Sequence, residues 1–415
     1  MLPLKKPYFS LDGIESNFID LYGEVEACQK QRYNDAFENF KSYFSVDSAY
    51  IASSSGRVEV CGNHTDHNGG KVVSCAISLD SLAFFLPRND SIIKVKSEGY
   101  PEIIVDLSKE SDEKIGTSDA LVRGVCVGLK NKGFNIGGFN AYITSNVIGG
   151  AGISSSASFE VLIAEILNFL YNDSNVSQED KAKVSQFAEN VYFGKPCGLL
   201  DQTAISFGGL KMLDFSDKNN ISVKDVKAKL SNWTLVLINT GGSHADLTDE
   251  YASIPAEMKM VAKEYGVERL VEINENDFWD SIGQKQKNLP DRAVLRAIHF
   301  FEENNRVDTL CSALSENDYD TFISVINQSG TSSLCKLQNC YVSGGNSQLI
   351  PKALSLAGKY LNGGANRVHG GGFAGTILNI VSNDNAKAFV GKMIEYFGEK
   401  NVFPLKVRAV GAIVL

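Results

Sequence analysis

The fold of this chain is decided by residues 147–157, which read Val-Ile-Gly-Gly-Ala-Gly-Ile-Ser-Ser-Ser-Ala. Before this run, residues 139–144 alternate apolar and polar side chains, as a half-buried β-strand does. After it, residues 156–171 place large apolar side chains at helical spacing. The sequence therefore predicts a strand and a helix joined by a tight loop of glycines and serines.

This loop has the composition of a phosphate-binding site. The first amide groups of a helix have no intrahelical acceptor and carry the positive end of the helix dipole, while glycines let an anion approach the backbone. A Walker A loop is excluded because no lysine lies between residues 140 and 171, and the Rossmann fingerprint is excluded because Ser155 stands where its third glycine is needed. A serine-capped turn remains an alternative, and the loop alone does not decide between the two.

A second polar segment covers residues 56–70, Gly-Arg-Val-Glu-Val-Cys-Gly-Asn-His-Thr-Asp-His-Asn-Gly-Gly. Such a density of donors and acceptors suits a polyhydroxylated ligand, because an unpaired polar group in a closed site costs about 1–3 kcal/mol. A solvated turn is one alternative. A metal site of His64, Asp66 and His67 is another, although two histidines three apart on a loop lack the helical face of the His-Glu-x-x-His arrangement.

Together the two segments resemble motifs two and one of the GHMP small-molecule kinases, and residues 56–70 are similar to the galactokinase form of motif one. Further segments match in the family's order: Ala188-Glu189, Pro196 to Gln202, Thr240-Gly241, His244, Leu247-Thr248, Glu250-Tyr251, Arg292 to Glu302, and Gly370 to Gly375. The resemblance spans roughly residues 44–382. Several motifs in order are more specific than any one of them.

The resemblance implies an α+β, two-lobed GHMP kinase fold with the active site in the cleft between the lobes. The expected N-terminal lobe, like ribosomal protein S5 domain 2, covers residues 1–213, and a ferredoxin-like C-terminal lobe with the third glycine motif covers residues 214–415. The turn-rich segment 214–220 marks the boundary. Patterns elsewhere predict helices in regions 19–44 and 291–305, and strands at 233–239, 376–381 and 407–415.

Composition agrees with a soluble enzyme of this kind. The 415 residues are 43% hydrophobic, enough for a large core in two lobes, and a net charge of −9 argues against a nucleic-acid partner. No apolar run approaches the roughly 18 residues of a membrane span, and the first residues lack the core of a signal peptide. Eight cysteines without a Cys-x-x-Cys pair indicate reduced thiols, hence a cytoplasmic protein. A monomer is expected from the resemblance.

The implied reaction is transfer of the γ-phosphoryl group of ATP to the C1 hydroxyl of galactose. This chemistry requires a proton acceptor and stabilisation of the charge that develops. Asp201 matches the family's catalytic aspartate, and Arg57 matches the arginine beside it. Asp201 is alternatively an acid in the first turn of a helix. Whether it removes the proton or only orients the hydroxyl is left open.

The resemblance also implies ATP and Mg²⁺ sites. The predicted ATP-binding residues are those of the glycine run: Gly149, Gly150, Ala151, Gly152, Ser154, Ser155 and Ser156. Ser156 and Glu189 match the family's metal-binding positions, and a hydroxyl with one carboxylate, completed by phosphate and water oxygens, suits Mg²⁺. Glu189 is alternatively a solvated helix acid. Aromatic residues that would stack on adenine are not evident around 118–125, so the base preference is open.

The predicted sugar contacts are Asn63, His64, Asp66, Gly198 and Tyr251. Relatives usually carry glutamate at position 63 and tyrosine at position 67, where this chain has asparagine and histidine. An amide can still bond the C6 hydroxyl of galactose, but the lost charge also permits galacturonate, and arabinose lacks C6 altogether. A non-catalytic sugar sensor is a further alternative. The intact Ser156-Ala157 pair favours an enzyme.

Overall fold

The structure is a computed structural model that describes residues 7, 11–109, 114–150, 152–218, 220–228, 230–241, 247–342 and 347–415. Its helices are α1 (Leu11–Ile14), α2 (Asn17–Tyr22), α3 (Ala27–Phe44), α4 (Ser118–Asn131), α5 (Ser155–Tyr171), α6 (Gln178–Phe187), α7 (Leu200–Phe207), α8 (Thr248–Glu264), α9 (Glu275–Lys285), α10 (Asp291–Glu316), α11 (Tyr319–Ser332), α12 (Leu349–Gly358) and α13 (Asn383–Phe397). Single π-helical turns follow α6 and α11, at Ala188–Phe193 and Ser333–Leu337. Short 3₁₀ turns cover Asp66–Asn68, Leu230–Asn232, Leu270–Glu272, Gln286–Asn288 and Glu399–Asn401.

The strands form two sheets. They are β1 (Tyr50–Cys61), β2 (Lys71–Pro87), β3 (Ile92–Ser97), β4 (Glu102–Asp106), β5 (Phe139–Ser145), β6 (Leu210–Asp214), β7 (Ser222–Asp225), β8 (Trp233–Asn239), β9 (Ala365–His369), β10 (Thr376–Ser382), β11 (Val402–Leu405) and β12 (Ile413–Val414). The first sheet has the order β12-β1-β2-β5-β3-β4, with β6 beside β2 and β7 beside β6. The second has the order β11-β8-β10-β9. Within the described residues, only β3 and β5 pair in parallel.

Helices cover both faces of the first sheet. Phe84 and Phe85 are neighbours in β2 and therefore point to opposite faces. Phe84 packs with side chains of α2 and α3, whereas Phe85 packs with side chains of α4 and α5. Because both faces of the sheet are covered, consecutive residues of β2 are buried, and apolar residues follow one another along the strand without regular alternation with polar residues.

The second sheet packs towards the first. Leu237 of β8 belongs to a core that also contains Val58 of β1 and Phe322 of α11, so the two lobes share apolar contacts. On the other face, Val236 packs with Phe389 and other side chains of α12 and α13. The expected polar cleft between the lobes therefore lies beside this apolar contact, at the ends of β1, β9 and α7.

The sequence patterns predict several of these elements. The strand at 233–239 is confirmed, the helix after the glycine run starts at Ser155, and the helix from Asp291 extends further than predicted, to Glu316. The predicted helical region 19–44 divides into α2 and α3, with Gly23 in the left-handed conformation at the end of α2.

The prediction of one strand over residues 407–415 is wrong. Only Ile413–Val414 pairs as a strand, beside β1, and Val407 makes an isolated bridge to Ile77. Between them, the amides of three residues donate to carbonyls in three different elements: Arg408 to Ala76, Ala409 to Asp20, and Ala412 to Ile205. The segment therefore crosses the end of the first lobe, and its backbone cannot stay in one ladder.

The proposed division at 213/214 stays a prediction. The turn after Asp214 connects β6 to β7, which pair with each other in the first sheet, and the second sheet begins at Trp233. The last strand, β12, also returns to the first sheet. Among the described residues, none of the helices combines the length and the apolar character needed to cross a membrane.

Candidate active site

Arg57 of β1 and Asp201 of α7 meet in the structure although 144 positions separate them. Nε of Arg57 donates to Oδ1 of Asp201 at 2.7 Å, and Nη2 lies 2.7 Å from the same oxygen. Nη1 donates to the carbonyl of Gly152 at 2.6 Å. The guanidinium is buried, whereas the Asp201 side chain keeps 33% of its surface exposed. The arginine thus fixes a carboxylate that a ligand can reach.

The local sequence explains why Arg57 reaches this point. The register of β1 against β2 shifts between Ser55 and Arg57 and again between Glu59 and Cys61, and such bulges re-aim side chains beside active sites. Gly56 lets the glycine run pack closely, because a Cβ there would lie 2.8 Å from the carbonyl of Ile153.

We call residues 147–154 the glycine loop. Gly150 has φ +79° and a Cβ added there would meet nothing within 4 Å, so this part of the loop faces open space. Gly152, with φ +70°, packs instead against Thr376, whose Oγ1 would lie 2.9 Å from an added Cβ. Ser154 is left-handed, with φ 63°, and its hydroxyl donates to Oδ2 of Asp201. The loop therefore leaves room for an anion and also contacts the catalytic candidate.

The remaining predicted ATP residues lie on the same loop or just beyond it. Gly149 is exposed, Ser155 begins α5, and Ser156 lies in its first turn. Ala151 lies outside the described residues.

Glu189 is held beside Ser156. The serine hydroxyl donates to Oε1 of Glu189 at 2.9 Å, Lys195 donates to the same oxygen at 2.7 Å, and Gln202 donates to Oε2 at 2.8 Å. Glu189 is only 2% exposed, so the alternative of a solvated helix acid is wrong. The two predicted metal positions are therefore adjacent.

Two charged residues at this point were missed from the sequence. Lys195 lies six residues after Glu189 and neutralises it. Glu160, four residues after Ser156 and so on the same helix face, is fully buried, and its Oε2 accepts from Gln202 at 3.3 Å. Burial and the neighbouring charge of Glu189 raise the pKa of Glu160 well above its usual value. The helical spacing from Ser156 was the available signal for Glu160.

The sugar loop, residues 62–70, begins at the end of β1. The His64 side chain is half-buried, and this burial together with the neighbouring His67 lowers its pKa to about 4. The imidazole is therefore neutral at neutral pH. Its Nε2 lies 3.0 Å from the carbonyl oxygen of Gly371, which can only accept, so Nε2 carries the proton and Nδ1 is left as an acceptor.

Asp66, His67 and Gly198 surround one small space. A Cβ on Gly198 would lie 2.4 Å from Oδ2 of Asp66, so only glycine allows the carboxylate this position. The other oxygen of Asp66 lies 3.7 Å from Nε2 of His67. The rings of His64 and His67 are 6.1 Å apart, so His67 lies close to both of the predicted sugar contacts His64 and Asp66.

Tyr251 of α8 packs on the third glycine motif. Its hydroxyl donates to the carbonyl of Gly372 at 2.8 Å, its ring meets Phe373 edge to face at 5.3 Å, and a Cβ on Gly371 would collide with it at 2.4 Å. Tyr251 therefore borders the segment that His64 contacts. The matched His244 lies outside the described residues.

The expectation that Asn63 contacts the sugar is corrected by the structure. Asn63 is fully buried, and all four hydrogen-bonding positions of its amide are taken by protein groups. Nδ2 donates to Glu59 at 2.9 Å and to the Gly370 carbonyl at 2.8 Å, while Oδ1 accepts from Asn339 at 2.8 Å and Ser333 at 3.3 Å. The side chain thus lies behind the sugar loop, between the lobes.

These features define a kinase of the GHMP class: two α+β lobes, a glycine loop at a helix N-terminus, and an arginine–aspartate pair beside it. Residues 120–209 match the model of the GHMP kinases N-terminal domain, and residues 38–87 match the galactokinase galactose-binding signature.

Similar proteins agree with this class. A galactokinase of Clostridium beijerinckii is 32% identical over 86% of this chain and 91% of its own, and one of Limosilactobacillus fermentum is 30% identical over 88% and 94%. The crystal structure of Lactococcus lactis galactokinase complexed with galactose superposes with a TM-score of 0.79 at 25% identity, covering 92% of this chain and all of that one. Methanococcus jannaschii mevalonate kinase, at 15% identity and a TM-score of 0.62, shares the fold. The chain belongs to the galactokinase family, so the resemblance and the fold inferred from the sequence are confirmed.

Proposed function

We propose that this protein transfers the γ-phosphoryl group of ATP to the C1 hydroxyl of galactose. The observation that carries the proposal is the Arg57–Asp201 pair next to a glycine loop that faces open space. The glycine loop contacts both members of this pair, and Gly198, three residues before Asp201, lies against Asp66 of the sugar loop, so both loops come close to the pair, as transfer between a nucleotide and a sugar requires.

Asp201 is the proton acceptor in this proposal. Oδ1 already accepts two N–H groups of Arg57, and from the residues that the structure describes Oδ2 accepts one hydrogen bond, from the hydroxyl of Ser154. A carboxylate oxygen has two lone pairs, so Oδ2 keeps one free to receive the proton of the attacking hydroxyl. Arg57 holds the carboxylate in place and stabilises negative charge on the transferred group.

The triphosphate binds along the glycine loop and the N-terminus of α5, where backbone amides and the helix dipole favour an anion. Ser154, Ser155 and Ser156 supply hydroxyls there. Aliphatic Ile148 is exposed at the start of the loop, and base preference stays open.

Ser156 and Glu189 fit a Mg²⁺ ion. They supply a hydroxyl and a carboxylate 2.9 Å apart, and the described residues contain no group of three metal-binding side chains, so phosphate and water oxygens would complete the coordination. A bound Mg²⁺ would supply positive charge to the phosphate oxygens. Lys195, whose Nζ lies 2.7 Å from Glu189, supplies charge at the same point.

For the sugar, His64, Asp66, Gly198 and Tyr251 remain the proposed contacts. Nδ1 of His64 and the carboxylate of Asp66 are acceptors for sugar hydroxyls. The argument for galacturonate or arabinose rested on Asn63, which is buried, so the difference that remains at this end is His67, 38% exposed and next to Asp66. Galactose is therefore the substrate we propose. A monomeric, cytoplasmic protein without nucleic-acid or membrane partners stays a prediction.

The test is a measurement of ADP release with ATP and a panel of galactose, galacturonate, arabinose and N-acetylgalactosamine. We expect kcat/KM for galactose to exceed that of every other sugar by more than about tenfold, a difference of about 1.4 kcal/mol. Higher activity on galacturonate or arabinose would contradict the proposed substrate. Binding of galactose and ATP without ADP release would instead identify a sensor.

A further inference from the structure

The start of the sugar loop is held by two side chains of the other lobe. Oε1 of Glu303 accepts from the amide of Gly62 at 3.0 Å, and Nε2 of His299 lies 2.9 Å from the carbonyl oxygen of Asn63. Both side chains are fully buried, and both come from α10, four residues apart and so on one face of the helix. We call His299 and Glu303 the α10 clamp.

The protonation states of the clamp suit these two bonds. Burial lowers the pKa of His299, so its ring is neutral, and because a carbonyl only accepts, Nε2 carries the proton while Nδ1 accepts from Ser332 at 2.9 Å. Burial alone would raise the pKa of Glu303, but the charges of Arg306 and Arg367 hold it well below its usual value. Glu303 is therefore an ionised acceptor, the stronger kind for a backbone amide.

The residue that follows Gly62 and Asn63, the two residues bound by the α10 clamp, has an unusual backbone conformation. His64 has φ 58°, in the left-handed region that residues other than glycine seldom adopt. Such a conformation persists only where the surroundings impose it. Here the clamp fixes the amide of Gly62 and the carbonyl of Asn63, and the His64 ring is then placed against the carbonyl of Gly371.

We propose that His299 and Glu303 are positioning residues for sugar binding, which hold the sugar loop in the conformation that presents His64 and Asp66 to the ligand. The proposal rests on the proposed function, since it takes a sugar as the ligand of this loop. The segment that resembles the family includes both His299 and Glu302 on this helix. Of these, the Glu302 side chain pairs with Lys336 and Arg306 and makes no contact with the sugar loop among the described residues.

The glycine loop has different supports. Its contacts run to Arg57 and Gly56 of β1, to Asp201 of α7 and to Thr376 of β10. Loss of the clamp is therefore expected to weaken sugar binding and to leave ATP binding unchanged. This separation distinguishes a positioning role from a general loss of structure.

The test compares His299→Leu, which removes the donor, with His299→Gln, whose amide restores an N–H group at the depth of Nε2. The matched control is Asn379→Leu, which removes another fully buried polar side chain of the second lobe, one that bonds the Val236 carbonyl and does not touch the sugar loop. Three quantities are measured on each folded variant: KM for galactose, KM for ATP, and amide hydrogen exchange of the peptide covering residues 56–70.

For His299→Leu we expect KM for galactose to rise at least about threefold, with kcat and KM for ATP unchanged. A rise of this size corresponds to the free energy of one hydrogen bond, here the bond that His299 donates to the sugar loop. Exchange in residues 56–70 should accelerate by a similar factor. His299→Gln and Asn379→Leu should resemble the wild type in both respects. A smaller rise, a parallel rise of both KM values, or unchanged exchange would overturn the proposal. A wild type that releases no ADP would refute the proposed function, and the exchange measurement would still decide the role of the clamp.

Discussion

Replacement of Asp201 by asparagine separates the two roles that its carboxylate can have. Oδ1 of asparagine still accepts the two N–H groups of Arg57, so the side chain keeps the orientation seen in the structure. Nδ2 takes the place of Oδ2 and can only donate, so the acceptor for the substrate's proton is lost. The substitution therefore removes the base while it preserves the geometry.

The expected loss follows from this difference. A positioned general base contributes about 100- to 10,000-fold to a rate, equal to about 2.7–5.4 kcal/mol of the activation free energy. We expect kcat of Asp201→Asn to fall within this range, with KM for galactose and the midpoint of thermal unfolding close to wild-type values. Ser154→Ala is the matched control. It removes one hydrogen bond to the same carboxylate, worth about 0.5–1.5 kcal/mol, and should lower kcat by no more than about tenfold.

The assay is coupled detection of ADP at saturating galactose and ATP, with circular dichroism and thermal unfolding on the same preparations. A fall in kcat of less than about tenfold for Asp201→Asn, in a variant that binds both substrates, would refute the role of proton acceptor. Asp201 would then only orient the hydroxyl, and Arg57 with the nucleotide-binding groups would account for the catalysis.

Three further predictions concern the metal site, the Glu59–Arg367 ion pair between the lobes, and stability in acid. Glu189→Gln should weaken divalent-cation binding at least about tenfold, measured as Mn²⁺ bound in the presence of ATP by electron paramagnetic resonance, and an unchanged affinity would remove Glu189 from the metal site. Arg367→Met leaves the buried carboxylate of Glu59 without its partner at 2.8 Å and should lower the free energy of unfolding in urea by about 3–5 kcal/mol. The double variant Arg367→Met/Glu59→Gln should recover part of this loss. If the effects of the two substitutions simply add, the pairing is contradicted. Burial would raise the pKa of Asp80, but the charges of Arg32 and Arg408 outweigh burial and lower this pKa. The ionised Asp80 therefore stabilises the fold at pH values above its unfolded pKa of about 3.9. This stabilisation is lost as the pH falls through the pKa of Asp80 in the folded protein. Asp80→Asn should therefore be less stable at pH 7 and lose stability less steeply below about pH 4, and equal slopes in acid unfolding would count against this account.

The sequence predicts the phosphate end of the site better than the sugar end. The glycine loop and the start of α5 follow from local pattern, because a strand–loop–helix unit carries its geometry in consecutive residues. The meeting of Arg57 with Asp201, 144 positions apart, was implied only by the resemblance to the family. Asn63 shows the limit of this reasoning. Its neighbour Glu59 is four residues away, but its other neighbours Asn339 and Gly370 come from distant parts of the chain, so no local pattern distinguishes a buried amide from one that faces a ligand.

The same limit explains the failure at residues 407–415. The pattern of apolar residues there is compatible with a strand, but the backbone bonds of 408–412 go to three separate elements. Arg408 is fully buried and donates to Ser53, and its position is set by the Asp80 cluster between β1, β2 and the N-terminal helices. Arg408 in this otherwise apolar stretch was the sequence signal against a regular β-strand over residues 407–415.

Strand β1 connects the two ends of the active site. Arg57 contacts the glycine loop, Glu59 pairs with Arg367 of the second lobe, and the strand ends just before Gly62, whose amide donates to Glu303 of α10. Arg57 and Glu59 are two residues apart and share one face of the strand. Glu59 and Arg367 form a buried ion pair between the lobes, and removing either partner would leave the other charge buried and unpaired at a cost of about 3–5 kcal/mol. One strand that contacts both lobes therefore carries Arg57 at the glycine loop and leads into the sugar loop, and through Arg57 it also holds Asp201, the proposed proton acceptor.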